Sequence, residues 1–281
     1  MSSRALVLGG GGVSGIGWET GMIAGLAERG IDLRAADRII GTSAGSSVAA
    51  KLTSGVSVAD AYAAQLAAPG NELSAKFGLR NILALLGPQL LPGDDAAIAR
   101  RIGRAALRAK TVPEADRRAV IAARVGNAGW PQAELLITAI DAHTGVRRVF
   151  DKDSGVSLAD AVAASCAVPT VWPPVTIGAS RYIDGGSLSG TNTDLAAGCD
   201  TILVLAPIAM ALRKRWSVAG QLAALGPGVR SLVLSPDAAA KQAMGRNSLD
   251  PAVRAAAAEA GRAQALTVAE QLGRLWNGPT D

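Results

Sequence analysis

The sequence predicts an α/β fold: a mainly parallel central sheet between two layers of helices, with one helical cap insertion. Two observations carry this expectation. The apolar runs Ala5-Leu6-Val7-Leu8 and Asp37-Arg38-Ile39-Ile40 each end in a glycine-rich turn that opens into a helical pattern. Strand-like and helical runs then alternate along most of the chain, the pattern of strands crossed over by helices. In such folds the loops at the carboxyl ends of the strands carry the chemistry. No repeat or low-complexity linker divides the 281 residues, so 1–281 reads as one domain with 69–113 as the insertion.

The first strand, Ala5 to Leu8, leads into Gly9-Gly10-Gly11-Gly12-Val13-Ser14-Gly15 and then a helix through Trp18, Met22, Ile23 and Leu26. Successive glycines leave backbone N–H groups open to phosphate or to a developing oxyanion. Gly10, Gly12 and Gly15 also satisfy GxGxxG, and a dinucleotide site would want an acidic residue closing the next strand. Asp37 instead opens that strand, which favours the oxyanion reading.

The second strand ends in Gly41-Thr42-Ser43-Ala44-Gly45. A serine on a sharp strand-to-helix turn exposes its hydroxyl above the sheet, and flanking glycines permit the close, strained backbone. The helix that follows directs free N–H groups and the positive end of its dipole at that hydroxyl. Ser43 is the candidate nucleophile; the plainer alternative is a glycine-rich turn before an ordinary helix.

Residues 69–113 break the alternation. They hold Ile82-Leu83-Ala84-Leu85-Leu86 and Leu90-Leu91, then a helix with Ile98, Ile102 and Ala105 on one side and Arg100, Arg104 and Arg108 on the other. Placed after the nucleophile helix, this segment suits a cap over an apolar pocket; a surface hairpin with solvated arginines is the bland alternative. Further strands are expected over Glu134–Asp141, Val146–Phe150, Val175–Ile183, Thr201–Leu205 and Val229–Leu234. Helices are expected over Val58–Ala67, Ala96–Ala109, Leu158–Cys166, Asp194–Ala197 and Pro251–Leu275. The last, rich in alanine, is expected to pack on the sheet or on a second subunit.

Composition narrows the function classes. At 49% hydrophobic and 18% charged residues, the chain is folded rather than disordered. The net charge of +5 comes from scattered arginines; it suits anionic surfaces such as phospholipid and gives no ground for nucleic-acid binding. Cys166 and Cys199, the only cysteines, read as buried thiols in a reducing compartment, and no metal-ligand spacing is visible. No signal-peptide core and no apolar stretch of the roughly 18 residues needed for a membrane span is present, so the expected location is cytoplasmic, with membrane contact at most peripheral.

A serine nucleophile needs a base. The single histidine, His143, lies in the turn-like Asp141-Ala142-His143-Thr144-Gly145, and a Ser-His-Asp triad would have to use it. Otherwise a carboxylate must act directly, within hydrogen-bond reach of Ser43 and in a site dry enough to raise its basicity. Asp141 and Asp184 both close apolar runs, and Asp184-Gly185-Gly186 could turn tightly toward a neighbouring loop. Spacing alone does not choose between them.

The ordered set Gly9 to Gly15, Gly41 to Gly45 and Asp184-Gly185-Gly186 resembles the patatin-like phospholipase family. The resemblance extends through Trp18-Glu19-Thr20-Gly21, Ala164-Ser165-Cys166-Ala167-Val168-Pro169 and Thr191-Asn192-Thr193-Asp194. It implies Ser43 as nucleophile, Asp184 as the base of a Ser-Asp dyad, and the amides of Gly10, Gly11 and Gly12 as the oxyanion hole. It also implies hydrolysis of lipid acyl esters without metal or organic cofactor. Two departures stand out: Ser14 occupies a position where many members carry a basic residue, and Asn192-Thr193-Asp194 lacks the proline of an Asn-x-Pro segment. An acyltransferase using the same acyl-enzyme and a non-catalytic lipid-binding protein are the alternatives. Trp172 could wall an acyl pocket or serve loop packing. Arg213-Lys214-Arg215-Trp216 could meet anionic lipid or form a solvated turn.

Overall fold

The computed structural model describes residues 3–277, apart from Pro69, Asn71, Phe77 and Met210. The strands are β1 (Arg4–Leu8), β2 (Arg38–Thr42), β3 (Glu134–Asp141), β4 (Arg147–Phe150), β5 (Val175–Ile177), β6 (Ser180–Asp184), β7 (Thr201–Leu205) and β8 (Arg230–Leu234). The helices are α1 (Gly12–Ala27), α2 (Ala44–Leu52), α3 (Val58–Leu66), α4 (Leu79–Leu90), α5 (Asp95–Arg108), α6 (Glu114–Val125), α7 (Leu158–Ser165), α8 (Val218–Leu225), α9 (Ala238–Met244) and α10 (Arg254–Trp276).

One sheet runs in the order β5-β6-β3-β2-β1-β7-β8, with β4 also on β3. Pairing is parallel from β3 through β2, β1 and β7 to β8, and antiparallel where β4 and β6 meet β3 and where β5 meets β6. The run expected as one strand from Val175 to Ile183 is a hairpin instead, because Gly178 takes a φ of +59° and reverses the chain. The helix expected over Asp194–Ala197 is a 3-10 turn over Thr193–Ala196.

Side-chain alternation separates the two faces of the sheet. Leu6, Leu8, Ile39, Ile137, Leu203 and Leu205 form one core with Met22 of α1, Val48 of α2, Ile121 of α6, Val162 of α7 and Leu272 of α10. Ala5, Val7, Ile40, Ile202 and Val204 point the other way, toward Val218 of α8. The three-layer arrangement follows from these two interfaces.

The insertion divides into two parts; Pro69, where it was expected to open, lies outside the described residues. Ile98, Ile102 and Ala106 of α5 pack on Ile140, Ala142 and Ile183, so this helix joins the second layer over β3 and β6. Its partner α4 leaves Leu79, Leu83 and Leu90 exposed. It is tied down by Asn81 Nδ2, which donates to Thr170 Oγ1 at 2.9 Å, and by Gln89 Nε2, which donates to Ser187 O at 3.2 Å.

The C-terminal helix packs on α1. Gly17, Gly21 and Gly25 lie along one side of α1, where a methyl group would collide with the carbonyls of Arg254, Ala258 and Arg262 in turn. The two backbones approach this closely only because that stripe has no side chains. Trp18 Nε1 donates to Gln264 Oε1 at 2.8 Å across the same contact.

Candidate active site

Ser43 stands between β2 and α2 with φ 53° and ψ −119°, a conformation costly for a residue with a Cβ and kept only where its surroundings impose it. Those surroundings are visible. The Ser43 amide donates to Ser165 Oγ at 2.9 Å. Its carbonyl accepts from Ser46 N at 2.9 Å, Ser46 Oγ at 2.6 Å and Cys166 Sγ at 3.1 Å. Gly45 completes the turn, since a methyl there would fall on the Leu8 carbonyl.

The Ser43 hydroxyl donates to Asp184 Oδ2 at 2.6 Å. Strand register produces this meeting. Thr42 lies opposite Thr138 in the β2–β3 ladder, and Asp184 lies opposite Ala139 in the β3–β6 ladder. The serine and the carboxylate therefore reach the same level from either side of β3. Oδ1 of Asp184 accepts from the Gly186 amide at 2.7 Å, and both residues are buried, Ser43 8% and Asp184 5% exposed. Burial raises the Asp184 pKa to about 6 against the opposing pull of the Ser43 hydrogen bond, the Gly186 amide and the Arg117 charge.

Asn192 fastens the loops behind the pair. Its Nδ2 reaches Thr42 Oγ1 at 3.1 Å, Thr138 Oγ1 at 3.2 Å and Ser189 O at 3.0 Å. Its Oδ1 accepts from Arg147 Nη1 at 3.1 Å, and Arg147 also pairs with Asp194 at 2.7 Å. The segment without the proline is thus held by an ion pair.

The glycine loop faces Ser43: a Cβ on Gly10 would lie 3.4 Å from Ser43 Cβ. The amide of Gly10, however, already donates to Gly190 O at 2.8 Å. No described residue accepts from the amides of Gly11 and Gly12, which sit at the positive end of α1. Gly12 has φ +64°, and a methyl on it would meet Ser248 O at 2.5 Å. Beneath the loop, the Gly9 amide is shared between Leu205 O at 3.0 Å and Glu19 Oε1 at 2.8 Å.

The other candidates lie apart from this cluster. His143 is exposed in the β3–β4 turn. Asp141 caps that turn, accepting from the His143 and Thr144 amides at 2.9 Å each. Burial works to raise the Asp141 carboxyl, but the hydrogen bonds it receives hold it below its ordinary value. Trp216 is 4% exposed, has the guanidinium groups of Arg213 and Arg215 against its ring, and donates to Asp95 Oδ2 at 3.1 Å, so Arg213–Trp216 is a clasp onto α5 rather than a free basic turn. Cys166 and Cys199 are both buried free thiols.

Sequence reasoning gave no role to Ser165, Glu19 or Arg117. Arg117 had a readable signal: with Ile121 and Val125 it occupies the buried i, i+4, i+8 stripe of α6, where a core helix normally places apolar residues.

A family model described as patatin-like phospholipase matches residues 6–197. No curated protein matches the sequence. Among solved structures, VipD from Legionella pneumophila is 13% identical over 96% of this chain and 67% of its own, with a TM-score of 0.47. The type III effector protein ExoU is 17% identical over 96% of this chain and 53% of its own, with a TM-score of 0.42. This chain therefore spans about half the length of the ExoU chain.

Proposed function

The chain belongs to the patatin-like phospholipase family, a family of lipid acyl hydrolases, and on that premise we propose that it cleaves fatty-acyl esters through an acyl-enzyme on Ser43 with Asp184 as the base. The observation that carries this reading is the 2.6 Å hydrogen bond between the Ser43 hydroxyl and a buried carboxylate. No histidine stands between them.

Asp184 takes the Ser43 proton as the oxygen attacks the ester carbonyl, and the alcohol leaves with that proton. Burial raises the Asp184 pKa to about 6, nearer the working range of a general base than an ordinary aspartate. Water, deprotonated by the same carboxylate, then releases the fatty acid. The tetrahedral oxyanion falls to the unengaged amides of Gly11 and Gly12 and to the positive end of α1, while Gly10 supplies the close approach of loop to serine. One lost oxyanion donor typically costs ~10²–10³ in rate.

The lipid face in this reading is α4 and the loop beside it. Leu79, Leu83, Leu90 and Leu91 are exposed, as are Ile208 and Leu212. Arg213 joins the two segments by donating to Gln89 O at 2.9 Å and Leu91 O at 2.8 Å. An apolar surface of this kind beside a catalytic pair suits peripheral contact with a bilayer. No described helix is long and apolar enough to cross one.

The test is hydrolysis of p-nitrophenyl acyl esters of increasing chain length, with fluorophosphonate labelling alongside. Loss of turnover in Ser43→Ala and Asp184→Asn, labelling that depends on Ser43, and free fatty acid as product even with glycerol present would support the reading. Transfer of the acyl group to glycerol would mark an acyltransferase. No turnover and no labelling in the wild type would sink the enzyme reading altogether.

A further inference from the structure

Arg117 is 5% exposed, yet its Nε and Nη1 are buried with no hydrogen-bond partner among the described residues. Its guanidinium lies 4.0 Å from the centre of the Trp172 ring. Trp172 is itself 4% exposed, and its Nε1 is likewise buried without a partner. A buried charge is ordinarily paired and fully hydrogen-bonded, because an unpaired one forfeits its hydration for nothing in return. Three orphaned donors stacked together need an acceptor.

The neighbouring anions are already engaged. Glu72 is paired with Arg124, whose Nε donates to Oε1 at 2.7 Å. The Asp184 oxygens are taken by Ser43 and Gly186. Burial pushes the Cys166 thiol up, which keeps it neutral. The stack also borders the dyad: the Asp184 amide donates to Ala167 O and the Trp172 amide to Val168 O, each at 2.9 Å, so Trp172 leaves the same turn after α7 that holds the aspartate.

We infer that Arg117 and Trp172 form an anion subsite beside the dyad, one that receives the phosphate group of a phospholipid whose ester lies at Ser43. A guanidinium presents a planar fork of donors that fits phosphate oxygens, and the indole N–H adds one more. The phosphate of a glycerophospholipid is carried on the same glycerol as the ester under attack, so one substrate reaches both groups. This inference rests on the ester-hydrolase reading for its substrate, while the binding itself is independent of turnover.

The experiment has a kinetic and a binding arm. The first compares kcat/KM for a short-chain phosphatidylglycerol with that for the diacylglycerol of the same chains. The ratio should fall about 10- to 100-fold in Arg117→Met, the usual range for losing hydrogen bonds to a charged group. It should fall less in Arg117→Lys and in Trp172→Phe, and stay unchanged in Arg108→Met, which removes an exposed arginine. The second arm titrates Ser43→Ala, with and without Arg117→Met, with inorganic phosphate and with the same phosphatidylglycerol below its micelle concentration. Arg117-dependent binding of both ligands supports a general phosphate site; Arg117-dependent binding of the lipid alone supports a headgroup site. An unchanged ratio in folded Arg117→Met, or binding indifferent to Arg117, overturns the inference. So does an equal loss on both substrates, which would mean that Arg117 acts only through Asp184. If Arg117→Met does not fold, the Lys and Phe variants decide by the same ratio. Should the wild type hydrolyse no ester, the functional reading fails and the binding arm still judges the subsite.

Discussion

Glu19 lies wholly buried under the glycine loop and accepts the Gly9 amide at 2.8 Å, while its second oxygen has no partner among the described residues. Burial pushes its carboxyl well above the ordinary range, against the pull of the Gly9 hydrogen bond, and it holds the loop through the one oxygen that accepts this amide, a bond an amide oxygen can also make. Glu19→Gln should therefore keep activity within a few-fold. Glu19→Ala should lose about 2–4 kcal/mol through the cavity and the unpaired amide. Chemical denaturation of the two variants, with turnover measured alongside, checks the contrast.

Activity should rise with pH through the Asp184 titration near pH 6 and level off above it. Stability should run the other way. The folded-state value of about 6 exceeds the ordinary 3.8, so the folded state holds the extra proton between them, and the contribution present below 3.8 fades as pH rises to 6. Asp184→Asn should abolish turnover while stabilising the protein above pH 7 by about 1–3 kcal/mol. A pH–rate profile and paired denaturation curves at pH 4 and pH 8 test both signs; a flat stability difference would show that the carboxylate pays no burial cost.

The turn at Ser43 stores strain that a glycine would release. Ser43→Gly should unfold at a higher denaturant midpoint than Ser43→Ala, by about 1 kcal/mol. Both should be inactive. Equal midpoints would count against a strained turn.

Gly45→Ala places a methyl on the Leu8 carbonyl, whose oxygen and carbon are backbone atoms that cannot swing aside. The expected cost is about 3 kcal/mol or more, well beyond an ordinary surface substitution. His143→Ala, in an exposed turn, should leave turnover within two-fold by the ordinary scatter of surface changes. If His143→Ala folds and is inactive, a direct carboxylate base is excluded.

The sequence is explicit about what local chemistry controls. The glycine loop and the turn at Ser43 are legible because the continuous apolar runs of β1 and β2 end in glycines, and most other strands because short apolar runs stand between turn residues. What it conceals depends on partners far along the chain. Asp141 and Asp184 look alike as acids closing strands, and only the pairing of β6 with β3 separates them. Gly10 resembles its two neighbours until Gly190 takes its amide. Ser165 is one of many serines, and its part in holding the Ser43 amide arises from α7 packing beside α2. The stripe of Gly17, Gly21 and Gly25 acquires its meaning only from α10, which begins more than 220 residues downstream of Gly25.

Because β3 stands between Ser43 and Asp184, their hydrogen bond forms only when three strands are paired in one alignment. A shift of β6 along β3 by a single residue would leave helix and strand content unchanged and turn Asp184 to the opposite face of the sheet. Spectra of secondary structure would not register the error, whereas turnover by the proposed Ser43–Asp184 pair would vanish. On that proposal specific activity serves as a vernier on strand alignment, and a preparation with native spectra but reduced activity per mole can be sorted into correctly and incorrectly aligned molecules by titrating Ser43.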